Sequence, residues 1–369
     1  MIFGRLAPPR GGTMLLGIFR RGALYTLVGV LTSTAFAGAA TGAYVERRSS
    51  PVVVAYYVDA DQDSLTTLLT HGHRISWIIT TNFTLLDLTG RLYGVHDPEV
   101  VEAAHRLGSE VHFRVANFVG GDWSRAVAHA VLTHPAARSQ AVARILLVLD
   151  AYQYDGVNLD LENVPPKDRA ALSSFVAEVS RKVHARGKTL TIAVPGKTQD
   201  WPDSNWAGAF DLAALGHASD AIIVMAYDQH WSTSAPGPVA ALPWVEEVAQ
   251  FAAQEVGPDK VLLGLAFYGY DWPRRGHAVG VSMREAEHRA ARSGARIQWD
   301  QDAHVPYFKT ATRTVYFENA RSIEHKLELA TRHSLGGIAA WRLGQELPQV
   351  WDVVSAYGGP QHTNIPAPP

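Results

Sequence analysis

The sequence predicts a (β/α)8 TIM barrel, a closed cylinder of eight parallel strands wrapped by helices, with a small α+β insertion after strand seven. Three observations support this fold class. The chain has 369 residues, enough for one large barrel. Short runs of β-branched and aromatic residues alternate with helical patterns, as in βαβ units. Eight such runs can be counted, which is the number that closes this type of barrel.

The first half of the chain contains three predicted strands, separated by segments with helical spacing. Asp97 is a suitable N-cap for the helix that follows it. In chain order, the predicted elements are strand one at 51–58, a helix at 64–70, strand two at 75–80, a helix at 98–107, strand three at 110–117, and helices at 125–132 and 136–152.

Strand four carries the polar residues around which the prediction is organised. With a period of two, Asn158, Asp160 and Glu162 lie on one face, and the apolar residues between them lie on the other. Two carboxylates and an amide are costly to bury without partners, so this face needs water or a ligand. Pro165 and Pro166 end the segment, because proline cannot donate to a sheet. The two acids therefore lie at the carboxyl end of the strand.

The second half completes the barrel. The helix at 168–186 has one apolar stripe, and Gly187 can end it. The stripe consists of Leu172, Phe175, Val176, Val179 and Val183. Strands five to eight follow at 190–194, 221–227, 261–268 and 337–341. Residues 279–317, with a helical run at 282–293 and then β-like segments, are interpreted as the insertion walling one side of the cleft; an ordinary long loop is the alternative.

Composition excludes several classes of protein. The net charge of −2 and the 18% of charged residues create no field that would recruit nucleic acid or a membrane surface. The absence of cysteine excludes disulfides, thiolate catalysis and cysteine-based zinc sites. Sixteen histidines are present, but His71, His73 and the others show no ligand pattern on a shared face. We therefore expect no metal and no cofactor.

The amino terminus has the pattern of an export segment. Arg20 and Arg21 precede an apolar run at 22–45, which at about 1.5 Å per residue in a helix would span a bilayer. Small residues at 35–40 also offer cleavage sites. Residues 1–50 are therefore predicted to be an export signal or a single-pass membrane anchor, and a buried cytosolic helix is the other interpretation.

This division leaves residues 51–358 as the catalytic barrel and 359–369 as a flexible tail. With a leader of this kind, the protein is expected to be extracellular or part of the cell envelope, either secreted or anchored.

Strand four also carries a family resemblance. Asp155-Gly156, followed by Asp160 and Glu162, resembles the signature of glycoside hydrolase family 18, in which Asp-Gly-hydrophobic-Asp-hydrophobic-Asp-x-Glu ends the fourth barrel strand. The resemblance extends from about Val52 to Trp351 and is closest to the bacterial YaaH/SleL-like branch, which is associated with spore cortex and cell-wall lysis. It implies substrate-assisted cleavage, in which the acetamido oxygen of the sugar attacks its own anomeric carbon.

The spacing of the two acids is compatible with that mechanism. Asp160 and Glu162 are about 7 Å apart between Cα atoms on one strand face, and they cannot readily flank opposite faces of a sugar ring. By the resemblance, Glu162 is the general acid and base, Asp160 orients the acetamido nitrogen, and Tyr227 holds the acetamido group in its attacking position. The resemblance implies three further substrate-binding residues: Met225 and Asp228, which flank Tyr227 in the Met-Ala-Tyr-Asp motif, and the stacking residue Trp341.

Three more substrate-binding candidates come from position, and a fourth, Asn158, comes from the resemblance. Asn117 lies at the end of strand three, and Trp231 and Trp272 lie just beyond strands six and seven. The catalytic face of a barrel is found there, although ordinary loop packing would explain them equally well. Asn158 stands where the family more commonly has aspartate. A neutral amide cannot share a proton or a negative charge with Asp160.

We expect a glycosidase that cleaves β-1,4 linkages next to N-acetylglucosamine in peptidoglycan or spore cortex glycan. A chitinase or chitooligosaccharide hydrolase is the second hypothesis, and a non-catalytic, lectin-like sugar-binding protein is the third. The expected partner is a polysaccharide containing N-acetylglucosamine, either peptidoglycan or chitin, with no nucleic acid. The protein itself is expected to be a monomer.

Overall fold

The computed structural model describes residues 50–358. The export signal or anchor predicted for residues 1–50 lies outside the described residues, apart from Ser50, and so does the tail predicted for residues 359–369. Among the described residues, no helix is both long enough and apolar enough to cross a membrane.

Eight parallel strands close into a barrel, so the predicted fold class is confirmed. Each strand pairs with its two neighbours, and strand one closes the cylinder by pairing with both strand two and strand eight. Strands one to eight are Val52–Tyr57, Trp77–Leu85, Glu110–Ala116, Gly156–Asp160, Thr189–Pro195, Ala221–Met225, Val261–Ala266 and Gly337–Trp341.

Helices connect the strands and cover the outside of the barrel. Asp97 caps α2 as predicted, because its side chain accepts hydrogen bonds from the backbone N–H groups of Glu99 and Val100. The apolar stripe predicted after strand four is buried along α5. The α-helices of residues 50–358 are α1 Gln62–His71, α2 Pro98–Arg106, α3 Arg125–Thr133, α4 Pro135–Ala151, α5 Arg169–His184, α6 Leu212–Ala218, α7 Leu242–Val256, α8 Met283–Ser293, α9 Ala320–Arg332 and α10 Val350–Gly358.

Apolar side chains pack on both sides of the barrel wall. The larger cluster lies between the strands and the helices and includes Val157 and Leu159 of strand four and Val176 of α5. The residues that alternate with these point into the cylinder. The inner apolar cluster consists of Val52, Val54, Tyr56, Trp77, Ile79, Ala221, Ile223, Leu262 and Ala339. Asn158 and Asp160 belong to the inward face of strand four, at the end of the barrel where this strand finishes.

The insertion after strand seven is a five-stranded antiparallel sheet that packs against α8. Val281, Ala286 and Phe317 belong to an apolar cluster of their own that joins the helix to the sheet. The strands are Tyr268–Pro273, Val279–Ser282, Gln298–Asp300, Val305–Lys309 and Arg313–Phe317. The first of them begins almost directly after strand seven, so the insertion starts before residue 279, where the sequence placed its boundary.

Strands two, six and seven end two or more residues away from their predicted limits. Strand two continues to Leu85, because its pairing with strand three resumes after a register shift between Thr80 and Phe83. Strand six ends at Met225, before Asp228, whose φ of 58° lies in the left-handed region. Strand seven ends at Ala266, because the chain then enters the sheet of the insertion.

Candidate active site

The carboxyl ends of the barrel strands surround a cleft of about 650 Å³. Active sites of this fold lie at this end of the barrel. Its acidic side chains are Asp160 and Glu162, from the end of strand four, and Asp228, from the end of strand six. Aromatic residues form much of the remaining wall: Tyr56, Trp123, Trp206, Tyr227, Trp231, Trp244, Tyr268, Tyr270 and Trp341.

Asn117 fixes the backbone of Glu162. Its Nδ2 atom donates to the carbonyl oxygen of Glu162, and its Oδ1 atom accepts from the N–H of Glu162, both at 2.9 Å. Nδ2 also donates to the carbonyl of Ser124 at 3.1 Å. Asn117 is fully buried, and both ends of its amide are used inside the protein. It therefore lies behind the cleft as a positioning residue, not in the sugar-contact position predicted for it.

A buried ion pair joins strands three and four inside the barrel. Arg114 Nη1 donates to Asp160 Oδ2 at 3.1 Å, and the two side chains are only 12% and 6% exposed. The guanidinium carbon of Arg114 also lies 5.9 Å and 5.7 Å from the ring centroids of Trp123 and Trp341. Asp160 Oδ1 has no hydrogen-bond partner among residues 50–358. One oxygen of this carboxylate is thus held by a cation, and the other is unpaired.

Asn158 connects three strands beneath the cleft. Its Oδ1 atom accepts from the hydroxyl of Tyr56 at 3.2 Å, and its Nδ2 atom donates to Thr191 Oγ1 at 3.0 Å. The side chain is fully buried and does not belong to the lining of the cleft. Asn158 therefore supports strand four from within the barrel, and the substrate contact predicted for it is not seen in this geometry.

The electrostatics of the cleft favour a proton on Glu162. Burial raises the pKa of Glu162 well above its ordinary value of 4.5; the charges of Asp160 and Asp228 raise it further, and Arg114 opposes them. Burial also raises the pKa of Asp160, against the charge and the hydrogen bond of Arg114. Because Arg114 bonds Asp160 directly, we assign the negative charge to Asp160 and the proton to Glu162.

The insertion holds Asp228 in place. The hydroxyls of Tyr268 and Tyr270 donate to Asp228 Oδ1 at 2.5 Å and 3.2 Å. Both tyrosines belong to the first strand of the insertion. Burial raises the pKa of Asp228, and these two hydrogen bonds oppose that shift. The sheet of the insertion thus contributes directly to the cleft.

Tyr227 is partly buried in the wall of the cleft and packs edge to face against Tyr268, with 6.2 Å between ring centroids. Gly264 of strand seven makes room for it, because a Cβ atom there would lie 3.0 Å from Tyr227 Cε1 and 2.5 Å from the carbonyl oxygen of Val224. Burial raises the pKa of Tyr227 well above 10.0, and the nearby Tyr56 and Asp160 raise it further. Its hydroxyl therefore stays protonated at neutral pH and can donate a hydrogen bond.

The three predicted tryptophans have different positions. Trp341 lines the cleft and packs edge to face against Tyr56, at 5.2 Å between ring centroids. Trp231 also lines the cleft and is 48% exposed at its rim. Trp272 is only 4% exposed, and its indole N–H donates to the carbonyl of Ser234 at 3.1 Å. It fixes a loop and is not part of the lining.

Most of the residues predicted from the sequence meet in this cleft. Those that line it are Asp160, Glu162, Met225, Tyr227, Asp228, Trp231 and Trp341. Several residues were missed: Tyr56, Arg114, Trp123, Trp206, Trp244, Tyr268 and Tyr270. Tyr56 and Arg114 occupy inward positions near the ends of predicted strands, so the period of two could have identified them. Trp123 and Trp206 lie outside the barrel strands, where no such period applies.

The fold and the site together define a class of protein. A partly buried acid that retains its proton, beside a carboxylate held by a cation, is suited to general acid catalysis. Aromatic walls around it suit the flat apolar faces of sugar rings. No group of three or more histidine or acidic side chains within residues 50–358 is arranged to hold a metal ion. The arrangement is that of a barrel enzyme that cleaves glycosidic bonds.

The chain belongs to glycoside hydrolase family 18. Residues 52–346 match the family described as glycosyl hydrolases family 18. The protein is therefore an enzyme, a family 18 glycosidase, and the resemblance noted from strand four is confirmed. A relative described as a cortical fragment-lytic enzyme also agrees with the spore cortex branch of the resemblance.

Three relatives illustrate the range of the family. A cortical fragment-lytic enzyme of Bacillus subtilis is 32% identical over 214 residues, which cover 55% of this chain and 50% of that protein. The chain thus spans half the length of that relative. A chitinase from Chromobacterium violaceum is 31% identical, with a TM-score of 0.76 over 83% of this chain and 98% of that chain. The spore cortex-lytic enzyme SleL of Bacillus cereus has a TM-score of 0.78 at 23% identity, over 84% of this chain and 75% of that chain, which supports the fold alone.

Asn117→Ala is expected to lower both stability and turnover. The substitution leaves the N–H and the carbonyl of Glu162 without their partner, which costs about 1–3 kcal/mol, and it loosens the segment that carries the acid. Urea unfolding and turnover of N-acetylated oligosaccharides would measure the two effects. The control is Asn205→Ala, at an exposed position. Wild-type values for Asn117→Ala in both measurements would contradict the positioning role.

Proposed function

We propose that this enzyme cleaves β-1,4 linkages next to N-acetylglucosamine in peptidoglycan, including spore cortex glycan, by substrate-assisted retaining catalysis. The observation that carries the proposal is the pair formed by Glu162 and Asp160 at the end of one strand. Two residues apart on one strand, they are suited to act on the same side of a bound sugar. Asp228, the third acid of the cleft, is already bonded to two tyrosine hydroxyls. The nucleophile therefore comes from the substrate.

In the first step, Glu162 donates its proton to the leaving glycosidic oxygen. The acetamido carbonyl oxygen of the same sugar attacks the anomeric carbon from the opposite face, so the glycosidic bond breaks and an oxazolinium ion forms. Asp160 accepts a hydrogen bond from the acetamido N–H and balances the positive charge. The Tyr227 hydroxyl holds the acetamido group in its attacking position.

In the second step, Glu162 is a carboxylate and acts as the base. It takes a proton from a water molecule, whose oxygen attacks the anomeric carbon and opens the oxazolinium ring. Two displacements at the same carbon retain its configuration. The Glu162 proton is then restored, and the acid is ready for another cycle.

The walls of the cleft bind the sugar chain. Trp341 is assigned to the floor beneath the reacting sugar, where its ring can stack on the apolar face. Trp231 and Trp206, both largely exposed at the rim, extend this stacking surface to neighbouring sugars. Met225, at the end of strand six, and Asp228, just after it, contact the reacting sugar. Asn158 supports these groups from beneath.

A chitinase is the second candidate function. The observation in its favour is the 31% identity, over 83% of this chain, to a protein described as a chitinase from Chromobacterium violaceum. A lectin-like protein is disfavoured, because the family assignment and the acid Glu162 both support catalysis. Chitin oligosaccharides and peptidoglycan glycans share the N-acetylglucosamine unit, so the cleft chemistry described above serves both.

The proposed substrate can be tested directly with the purified enzyme. Spore cortex, vegetative peptidoglycan and chitin oligosaccharides are each digested, and the products are identified by mass spectrometry. We expect fragments cleaved beside N-acetylglucosamine from peptidoglycan, and no turnover of the same glycans after N-deacetylation. Cleavage of chitin oligosaccharides alone would favour the second candidate. Unchanged turnover of the deacetylated glycans would refute substrate assistance.

We also propose that the enzyme acts outside the cytoplasm as a monomer. Residues 1–50 serve as its export signal or membrane anchor, and residues 51–358 form the catalytic barrel. The basic pair Arg20 and Arg21 before an uncharged apolar run supports this assignment of the leader. A relative described as a cortical fragment-lytic enzyme supports action on the cell envelope.

A further inference from the structure

Within residues 50–358, one cationic side chain is hydrogen-bonded to the Asp160 carboxylate. Strand three presents Arg114, whose guanidinium forms the ion pair with Asp160. The other groups that interact with Asp160 are acidic or neutral at pH 7: Glu162 beyond the end of the same strand, Tyr56 on strand one and Tyr227 after strand six. Asp228 adds a further acid through its effect on Glu162. Ionised Asp160 therefore depends on Arg114.

The residue at position 158 cannot share a proton with Asp160. Asn158 lies opposite Arg114 in the pairing of strands three and four, two residues before Asp160. Its amide has no ionisable proton, and it is already bonded to Tyr56 and Thr191. A carboxyl group there could have shared a proton with Asp160, but an amide cannot.

The surroundings of Arg114 hold its guanidinium in one place. Arg114 Nη2 donates to the carbonyl of Thr81 at 3.5 Å, in the bulge of strand two. The rings of Trp123 and Trp341 both lie within 6 Å of the guanidinium carbon. A planar group fixed by an oxygen acceptor and two rings presents its N–H donors in a constant direction.

We propose that Arg114 is a positioning residue of the catalytic centre. Position 158 carries no carboxyl group, and Arg114 keeps Asp160 ionised, which leaves the catalytic proton on Glu162. Arg114 bonds Asp160 Oδ2, while the buried Oδ1 has no partner among the described residues, so the carboxylate keeps an unused acceptor beside the cleft. This inference rests on the proposed function. It adds that Arg114 of strand three keeps the negative charge on Asp160, the residue that stabilises the oxazolinium ion.

The test measures the proton affinity of Asp160 with and without Arg114. The side-chain carboxyls are titrated by ¹³C NMR in the wild type and in Arg114→Gln, and the Asp160 signal is assigned with Asp160→Asn. We expect the Asp160 midpoint to rise by about 1–3 units in Arg114→Gln, because an adjacent guanidinium lowers an aspartate pKa by that amount. The acid limb of kcat/KM should move upward with it. Arg114→Lys retains the charge and should shift the midpoint by less than half as much.

The matched control is Arg138→Gln, which breaks an arginine–glutamate ion pair with Glu178 between α4 and α5. It should leave the Asp160 midpoint and the pH profile unchanged. An unmoved Asp160 midpoint in Arg114→Gln would overturn the inference. If that variant fails to fold, the wild-type titration decides, because an Asp160 midpoint above that of Glu162 would also overturn it. Neither titration requires turnover, so a wild type inactive on every N-acetylated glycan would refute the proposed function separately.

Discussion

Glu162→Gln is expected to lower kcat by about 10²–10⁴-fold, the usual contribution of a general acid and base. Glutamine has nearly the same shape but cannot donate a proton to the leaving oxygen or accept one from water. Turnover of N-acetylated oligosaccharides, measured with calorimetric binding of the same ligand, separates catalysis from affinity. Binding should remain, because the aromatic walls of the cleft and the hydrogen bonds of Asn117 to the backbone of residue 162 are unchanged.

The control for this substitution is Glu178→Gln, which removes a carboxylate from the outer surface of α5. It should leave kcat unchanged. If Glu162→Gln retained full turnover, another group would have to be the acid, and the proposed mechanism would be wrong. If the wild type itself bound the ligand without cleaving it, the protein would instead be lectin-like.

The same variant should differ from the wild type in the pH dependence of stability. Since burial raises the pKa of Glu162 in the folded state, its protonated form stabilises the fold fully below about pH 4.5, the ordinary value. That contribution is lost as the pH rises through the raised pKa. Glutamine does not ionise, so the free energy of unfolding of Glu162→Gln should increase relative to the wild type between pH 4 and pH 8. A constant difference across that range would mean that the pKa is not raised.

Asp160→Asn is expected to cause the second largest loss of activity, about 10²–10³-fold in kcat, because the developing positive charge loses its carboxylate. It should also destabilise the fold by about 3–5 kcal/mol, the usual cost of removing one partner of a buried ion pair. Both members of the pair are almost inaccessible to solvent, so Arg114 would be left as an uncompensated buried charge. Steady-state kinetics and urea unfolding at one pH would measure both effects.

A double variant isolates the contribution of the ion pair to stability. Adding Arg114→Gln to Asp160→Asn removes the unpaired charge, so part of the lost stability should return while activity stays low. A loss of stability equal to the sum of the two single variants would mean that the groups do not interact. If Asp160→Asn alone were more stable than the wild type, Asp160 would be protonated rather than ionised in the folded enzyme.

The barrel was predictable because its strands are short apolar runs with helices between them. The ends of the strands were harder to predict. Strand two passes through a bulge after Thr80, and strand six stops before Asp228, whose backbone conformation is left-handed. The strand that starts at Tyr268 belongs to another sheet, and the apolar run of strand seven continues into it without an interruption in the sequence. Local pattern therefore identifies the elements, and pairing between distant segments sets their limits.

The site was predictable in part for the same reason. The alternation along strand four gives Asp160 and leads to Glu162, and the motif after strand six gives Tyr227. Arg114 is 46 residues from Asp160, and its role depends on strand register, which the sequence does not display. Asn117 ends a predicted strand and Trp272 follows one, yet hydrogen bonds to distant backbone turn each away from the cleft. The sequence alone cannot distinguish a residue that fixes the backbone in this way from one that contacts the sugar.

The hydrogen bonds from Tyr268 and Tyr270 to Asp228 have a practical consequence for anyone who redesigns this enzyme. Trimming the chain to a minimal eight-stranded core would remove both donors and leave the Asp228 carboxylate without these hydrogen bonds beside Glu162. The sheet of the insertion is thus part of the active site. If this sheet unfolded on heating before the barrel did, activity would be lost while the barrel was still folded.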